Sequence, residues 1–78
     1  MTVDIRIQAE EAKRLKNDTA FKQFMQDVRE QQVRVFTTSA AQDVEQREEA
    51  HAIIRALNLI EVQLDAAVAA ETLLDRKK

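Results

Sequence analysis

Apolar residues recur every three or four positions along most of the chain, which is the spacing of one face of an α-helix. The first such stretch is narrow and rich in alanine, and it predicts a short helix over about 3–16 that is marginal on its own. Its apolar positions are Ile5, Ala9, Ala12 and Leu15. The pattern leaves open whether this helix packs on the rest of the chain or awaits a partner.

A second helix is predicted over about 19–36. Asn17, Asp18 and Thr19 precede it, and residues of this kind cap helix N-termini well. Its connection to the next helix is expected near 37–40, with capping-box spacing between Ser39 and Gln42 and between Asp43 and Gln46. The side chains expected to face the third helix are Phe21, Phe24, Val28 and Val35.

The third predicted helix, over about 42–74, has the most regular pattern. Ala50, Leu57 and Leu64 lie seven residues apart, as in the heptads of a coiled coil. The interleaved apolar positions are Ile53, Ile60, Ala67 and Leu74, and Ile54 and Val68 widen the stripe. Because a wide stripe favours a hairpin or bundle over a two-stranded coiled coil, we predict an antiparallel helical hairpin. The expected fold is one all-α domain over 1–78: a short N-terminal helix, then a hairpin with a long, coiled-coil-like C-terminal helix.

The third helix is longer than the second, at about 45 Å against about 27 Å. Unless the first helix returns to cover it, the overhanging end exposes apolar side chains, and such a patch usually marks an interface. We therefore predict a protein interface formed by Leu57, Ile60, Leu64, Val68 and Leu74. Leu59 and Val62 lie off this stripe and indicate a second, smaller contact face on the same helix.

Composition excludes several other classes of protein. The 78 residues contain no Gly, Pro or Cys, which argues against sheet folds built on tight turns, disulfide scaffolds and thiolate metal sites. Lys and Arg number 12 against 14 Asp and Glu, and the signs are mixed, so we expect no dedicated nucleic-acid binder. The start of the chain, 1–7, lacks the apolar run of a signal peptide or membrane span, which predicts a cytosolic protein without a membrane role.

The candidates for chemistry are few. Glu48 and His51 have the Glu-x-x-His spacing of a helical metal site, but His51 is the only histidine, so such a site would need at least a homodimer. Ser39 is the only serine and has no histidine placed to activate it, so it is interpreted as a cap. We predict no enzyme activity, no cofactor, no metal site and no small-molecule substrate.

The segment from Ala12 to Leu64 resembles a group of small helical proteins encoded in the structural and packaging regions of tailed bacteriophages and prophages. The resemblance rests on generic hairpin features, and the family often has Pro or Asp in the turn where this chain has Ser39-Ala40-Ala41. The motifs that carry it are Asn17-Asp18-x-Ala20-Phe21, Thr37-Thr38, Arg47-Glu48 and Arg55-Ala56-Leu57. It implies a role in virion assembly, in the virion or the host cytoplasm, with head or connector proteins as partners, and it brings no catalytic residues.

The leading hypothesis is therefore a non-enzymatic, phage-type assembly or structural adaptor protein that acts through helix-mediated contacts and self-association. One alternative is a DNA-packaging accessory resembling a small terminase subunit. A second is a small regulator or inhibitor that binds a host protein, and a third is a dimeric metal-binding bundle using Glu48 and His51. The oligomeric state and the identity of the partner stay open at this point.

Overall fold

The computed structural model describes the backbone of residues 2–77 and the side chains of residues 4–77. It contains three helices in this range, α1 (Thr2–Asn17), α2 (Thr19–Thr38) and α3 (Val44–Arg76). The all-α fold and the antiparallel hairpin with a long C-terminal helix are confirmed. Each helix ends within two residues of its predicted bounds. Met1 and Lys78, the ends of the predicted domain, lie outside the described residues.

A single residue, Asp18, separates α1 from α2. Its backbone is extended, and its Oδ1 accepts a hydrogen bond from the backbone N–H of Phe21 at 2.8 Å. The backbone N–H of Asp18 donates to the carbonyl of Leu15 at 3.1 Å, which completes the end of α1. Asp18 therefore ends one helix and caps the next, and it does so without glycine because no positive φ is required.

The turn between α2 and α3 lies later than predicted, over 39–43. Thr37 and Thr38 are still helical, and their hydroxyls donate to the carbonyls of Val33 (2.9 Å) and Arg34 (2.6 Å), one turn back. The expected Asp43 cap also differs, since its carboxylate accepts from the N–H of Ala40 at 3.2 Å and makes no side-chain bond to α3.

The N-terminal arm of the hairpin consists of α1 and α2 together, laid end to end along α3. Arg6 pairs with Asp75 and Lys16 with Asp65, so α1 runs antiparallel to the C-terminal half of α3. Arg29 of α2 then reaches the middle of α3. The helix that the pattern left unplaced therefore docks, and it covers the stretch of α3 that was expected to overhang. The result measures 56 × 22 × 16 Å.

The core is thin. Among residues 4–77 the buried side chains are Ala9, Ala12, Ala50 and Leu57. Three of these four are alanines, which let the helices approach closely but bury little apolar area each. The radius of gyration is 16.8 Å, against about 11.5 Å for a compact domain of this length.

Two of the four side chains predicted to face the third helix are exposed to solvent. Phe21 and Val28 are partly buried, but Phe24 is 70% exposed and Val35 is also exposed. The partly buried apolar positions of α2 are Phe21, Met25 and Val28, and Phe24 lies beside the face that they form. The prediction that Phe24 packs on the third helix was therefore wrong.

Candidate protein-binding face

The five residues predicted as an interface differ in exposure. Leu57 is 7% exposed and belongs to the core, whereas Ile60 is 43% exposed. Leu64, Val68 and Leu74 are partly buried in the half of α3 that α1 covers. The overhang that motivated the prediction is thus closed within the chain. A role of these residues in contacting another protein stays a prediction, for which Ile60 is the most accessible of the five.

A second apolar stripe of α3 points away from α1 and α2, and we call it the outer face. Its large members are Leu59, Val62 and Leu73, which are 62%, 59% and 57% exposed. Ala66 and Ala69 fill the positions between them and are also exposed. The intervals along this stripe are three, four, three and four residues, the a and d spacing of a coiled-coil seam. The outer face therefore has the pattern of a helix packing surface but no helix of this chain on it.

The outer face carries no charge between residues 56 and 73, because the acidic side chains of that stretch are directed toward the other two helices. Each of them forms an ion pair across the hairpin. The pairs are Glu61 with Arg29 at 2.7 Å, Asp65 with Lys16 at 2.5 Å, and Glu71 with Lys13 at 2.7 Å. With these acids paired to α1 and α2, the uncharged side of α3 is the side that faces solvent.

Glu71 is the most enclosed of these acids. It occupies the next heptad position after Leu57 and Leu64, and its side chain is 12% exposed. Arg6 lies 3.6 Å from its Oε2. The hydrogen bond to Glu71 raises the pKa of Lys13, and the bond to Asp75 raises the pKa of Arg6. The cluster holds α1 on α3 by charge where the apolar seam is interrupted.

A groove of about 290 Å³ opens where α1 gives way to α2. Its apolar floor includes Phe21, Met25 and Leu64, and cations lie on its rim. Of these, Lys16 and Arg29 are already paired with carboxylates of α3, while Lys22 has no carboxylate partner among the ion pairs of residues 4–77. Because two of its three cations are already paired, the groove is a contact region between helices and not a strongly basic site for anions.

The candidate metal pair lies elsewhere, at the turn end of the hairpin. Glu48 and His51 line a shallow cleft of about 240 Å³ together with Phe36, Val44 and Arg47. No group of three or more His, Asp or Glu side chains within residues 4–77 is arranged to hold a metal ion. In the same part of the chain, no helix is long and apolar enough to cross a membrane.

The sequence pattern indicated part of the outer face and missed the rest. Leu59 and Val62 were assigned to a smaller contact face, but Ala66, Ala69 and Leu73 were not added to it. The signal was present in the alternating intervals of three and four, although the alanines made it weak beside the richer stripe through Leu57 and Leu64.

No protein-family model, no curated protein and no solved structure matches this chain. The geometry of α3 is therefore the basis for the function proposed below.

Proposed function

We propose that this chain is a non-enzymatic assembly or adaptor protein that binds other protein chains through the outer face of α3. The observation that carries the proposal is the exposure of Leu59, Val62 and Leu73 on one uncharged helix face. Contiguous exposed apolar patches on soluble domains usually mark interaction sites. A rigid helix that presents a packing seam is suited to joining subunits.

The ion pairs along α3 support the same proposal. A face that served only solubility would carry the charges of its helix, whereas here Glu61, Asp65 and Glu71 all form ion pairs with cations of α1 or α2. The charged groups of this stretch thus contact the other two helices and leave the apolar face available. Helix-mediated contact with a partner is the activity this division of residues favours.

The phage-type assignment belongs to the proposal through the sequence resemblance of the segment from Ala12 to Leu64. On this proposal the chain takes part in virion assembly, and its partners are copies of itself, head proteins or connector proteins. It acts in the virion or in the host cytoplasm where virions form. The small, elongated hairpin is compatible with a linking role between larger subunits.

A DNA-packaging accessory is the rival that the distribution of charge disfavours. Nucleic-acid binding needs cations free to contact phosphates, and three of the basic side chains of α1 are paired within the chain. These are Arg6, Lys13 and Lys16. Binding of duplex DNA that weakens steeply with added salt would favour this rival.

The other rival, a regulator or inhibitor of a host protein, would use the same outer face and would differ only in the partner that it binds.

Position-specific photo-crosslinking tests the proposal. A photoreactive amino acid is placed at Leu59 or Leu73 on the outer face, and as a control at Gln23, which is exposed on the far side of α2. The tagged full-length variants are irradiated in an extract of the source cells and the products are identified by mass spectrometry. We expect Leu59 and Leu73 to capture the same protein and Gln23 to capture none of it. Equal labelling from all three positions, or no protein product from the outer face, would contradict the proposal.

A further inference from the structure

The outer face has a pattern of large and small residues that suits contact with an identical helix. Leu59 and Val62 lie at one end, Leu73 at the other, and Ala66 and Ala69 between them. Alanines at a and d positions let two helix backbones approach closely, while the large residues at the ends close the seam against water. The leucines lie seven residues to either side of Ala66. In an antiparallel twofold pairing centred on Ala66, Leu59 of each copy would therefore face Leu73 of the other, as a self-complementary interface between identical subunits requires.

The chain exposes more surface than a compact monomer of its mass would. The chain exposes 6067 Å². A compact monomer of 9.0 kDa exposes about 4,900 Å² by the usual scaling of surface with mass. The excess is therefore more than the roughly 800 Å² that each partner contributes to a standard interface. The chain therefore has surface to spare for an interface of standard size with a second copy.

The electrostatics of the face agree with a copy as the occupant. Two identical faces bring like charges together wherever either carries one, and like charges in opposition are destabilising. Here the acids near the seam, Glu61, Asp65 and Glu71, are neutralised by cations of the same chain. Arg55 and Arg76 bound the uncharged stretch and stand outside it. Self-association thus meets no repulsion along the seam.

From these observations we infer that a second copy of this chain docks on the outer face, with the two α3 helices packed along Leu59, Val62, Ala66, Ala69 and Leu73. This inference rests on the proposed function and names the partner of its binding face. In the resulting dimer α3 is central, and each copy carries its own α1 and α2 on the outside. The thin core of one chain gains a second apolar layer.

The first test is the solution mass of the purified full-length chain from low micromolar to millimolar concentration, beside the Val62→Glu variant. Glu has a higher helix propensity than Val, and residue 62 is exposed, so the substitution spares the fold of the single chain. We expect a dimer for the parent chain and at least a tenfold weaker association for Val62→Glu. Added salt is expected to leave the parent dimer intact, because its seam carries no charge.

The second test does not depend on a destabilising substitution. The chain contains no cysteine, so a single Ala66→Cys variant reports on one position. We expect a short thiol-specific crosslinker to join two Ala66→Cys chains in high yield, and to join Gln23→Cys chains, the control from the opposite side, far less.

The outcomes separate this inference from the proposed function. A parent chain that stays monomeric at all concentrations, or equal crosslinking from both cysteine positions, would overturn the second copy as the occupant. If outer-face photo-crosslinks then still captured one different protein, the proposed function would survive. If they captured nothing, both would fail.

Discussion

The Nζ of Lys13 lies 2.7 Å from the Oε1 of Glu71, and this contact joins α1 to the C-terminal half of α3. Arg6 approaches the other carboxylate oxygen of Glu71 from the preceding turns of α1. Glu71 lies on the side of α3 that faces the other two helices, at a heptad position that leucine fills one and two heptads earlier, at Leu64 and Leu57. Docking of α1 therefore combines the buried Ala9 and Ala12 with an ion pair at a position where the rest of the hairpin has an apolar side chain.

Replacing Glu71 with Gln should loosen α1 selectively. The amide keeps the size of the side chain but loses the charge that attracts Arg6 and Lys13. We expect amide hydrogen exchange in α1 to speed up by on the order of tenfold while α2 and the first half of α3 keep their protection. Glu49→Gln, at an exposed position of α3, is the matched control and should leave exchange unchanged. Uniform acceleration across all three helices would show that α1 is not an independently opening unit.

The same contact predicts how stability depends on alkaline pH. The hydrogen bond to Glu71 raises the pKa of Lys13 in the folded chain. A raised pKa means that the stabilisation by Lys13 is fully present below about pH 10.4, its unfolded value, and is lost as the pH rises through the folded pKa. We expect Lys13→Gln to melt at a lower temperature than the parent by a constant difference from pH 7 to 9, and this difference should shrink as the pH rises past the ordinary lysine pKa of about 10.4. A difference that does not shrink at high pH would place the effect in packing rather than in the ion pair.

Periodicity was sufficient to predict the three helices, since no glycine or proline interrupts them and their apolar positions repeat at helical spacing. It did not predict that α1 would return along α3, because the relevant signal is split between small apolar residues and ion pairs. Ala9 and Ala12 pack closely but give little hydrophobic contrast, and the pairing of Lys13 with Glu71 spans 58 positions. Interactions that distant in sequence leave no local pattern to find.

Which stripe of α3 would stay exposed could not be predicted from the sequence for a related reason. Both stripes have heptad spacing, and only the docking of α1 decides which one is covered. Once α1 lies on Leu64 and Val68, the stripe with Leu59 and Val62 is left exposed. The Phe24 prediction failed similarly, since Phe21, Phe24 and Val28 all fit helical spacing, and the true inward face follows Phe21 and Met25.

The two phenylalanines at the start of α2 should respond differently to truncation. Phe21 is partly buried against the hairpin, so Phe21→Ala should lower the free energy of unfolding by about 2 kcal/mol. Phe24 is 70% exposed, and Phe24→Ala should change it by less than about 0.5 kcal/mol. Chemical denaturation of the two variants at one protein concentration makes the comparison. A loss from Phe24→Ala as large as that from Phe21→Ala would mean that Phe24 is covered in solution, by a partner or by another arrangement of α2.

Arg47 should be the residue that stabilises the turn most. Its guanidinium donates to the backbone carbonyls of Ala40 and Ala41, the latter at 3.0 Å, and so replaces the glycine-based turn that this chain lacks. Arg47→Ala should lower the free energy of unfolding by about 1 kcal/mol. A lysine ammonium is a single point donor and cannot bridge both carbonyls in the same fork, so Arg47→Lys should lower it by most of that amount. Arg55→Ala, an exposed arginine farther along α3, controls for the loss of one positive charge. If Arg47→Lys matched the parent chain while Arg47→Ala did not, charge rather than the two directed hydrogen bonds would hold the turn. The geometry of 39–43 would then have to rest on the carboxylate of Asp43 and the hydroxyls of Thr37 and Thr38.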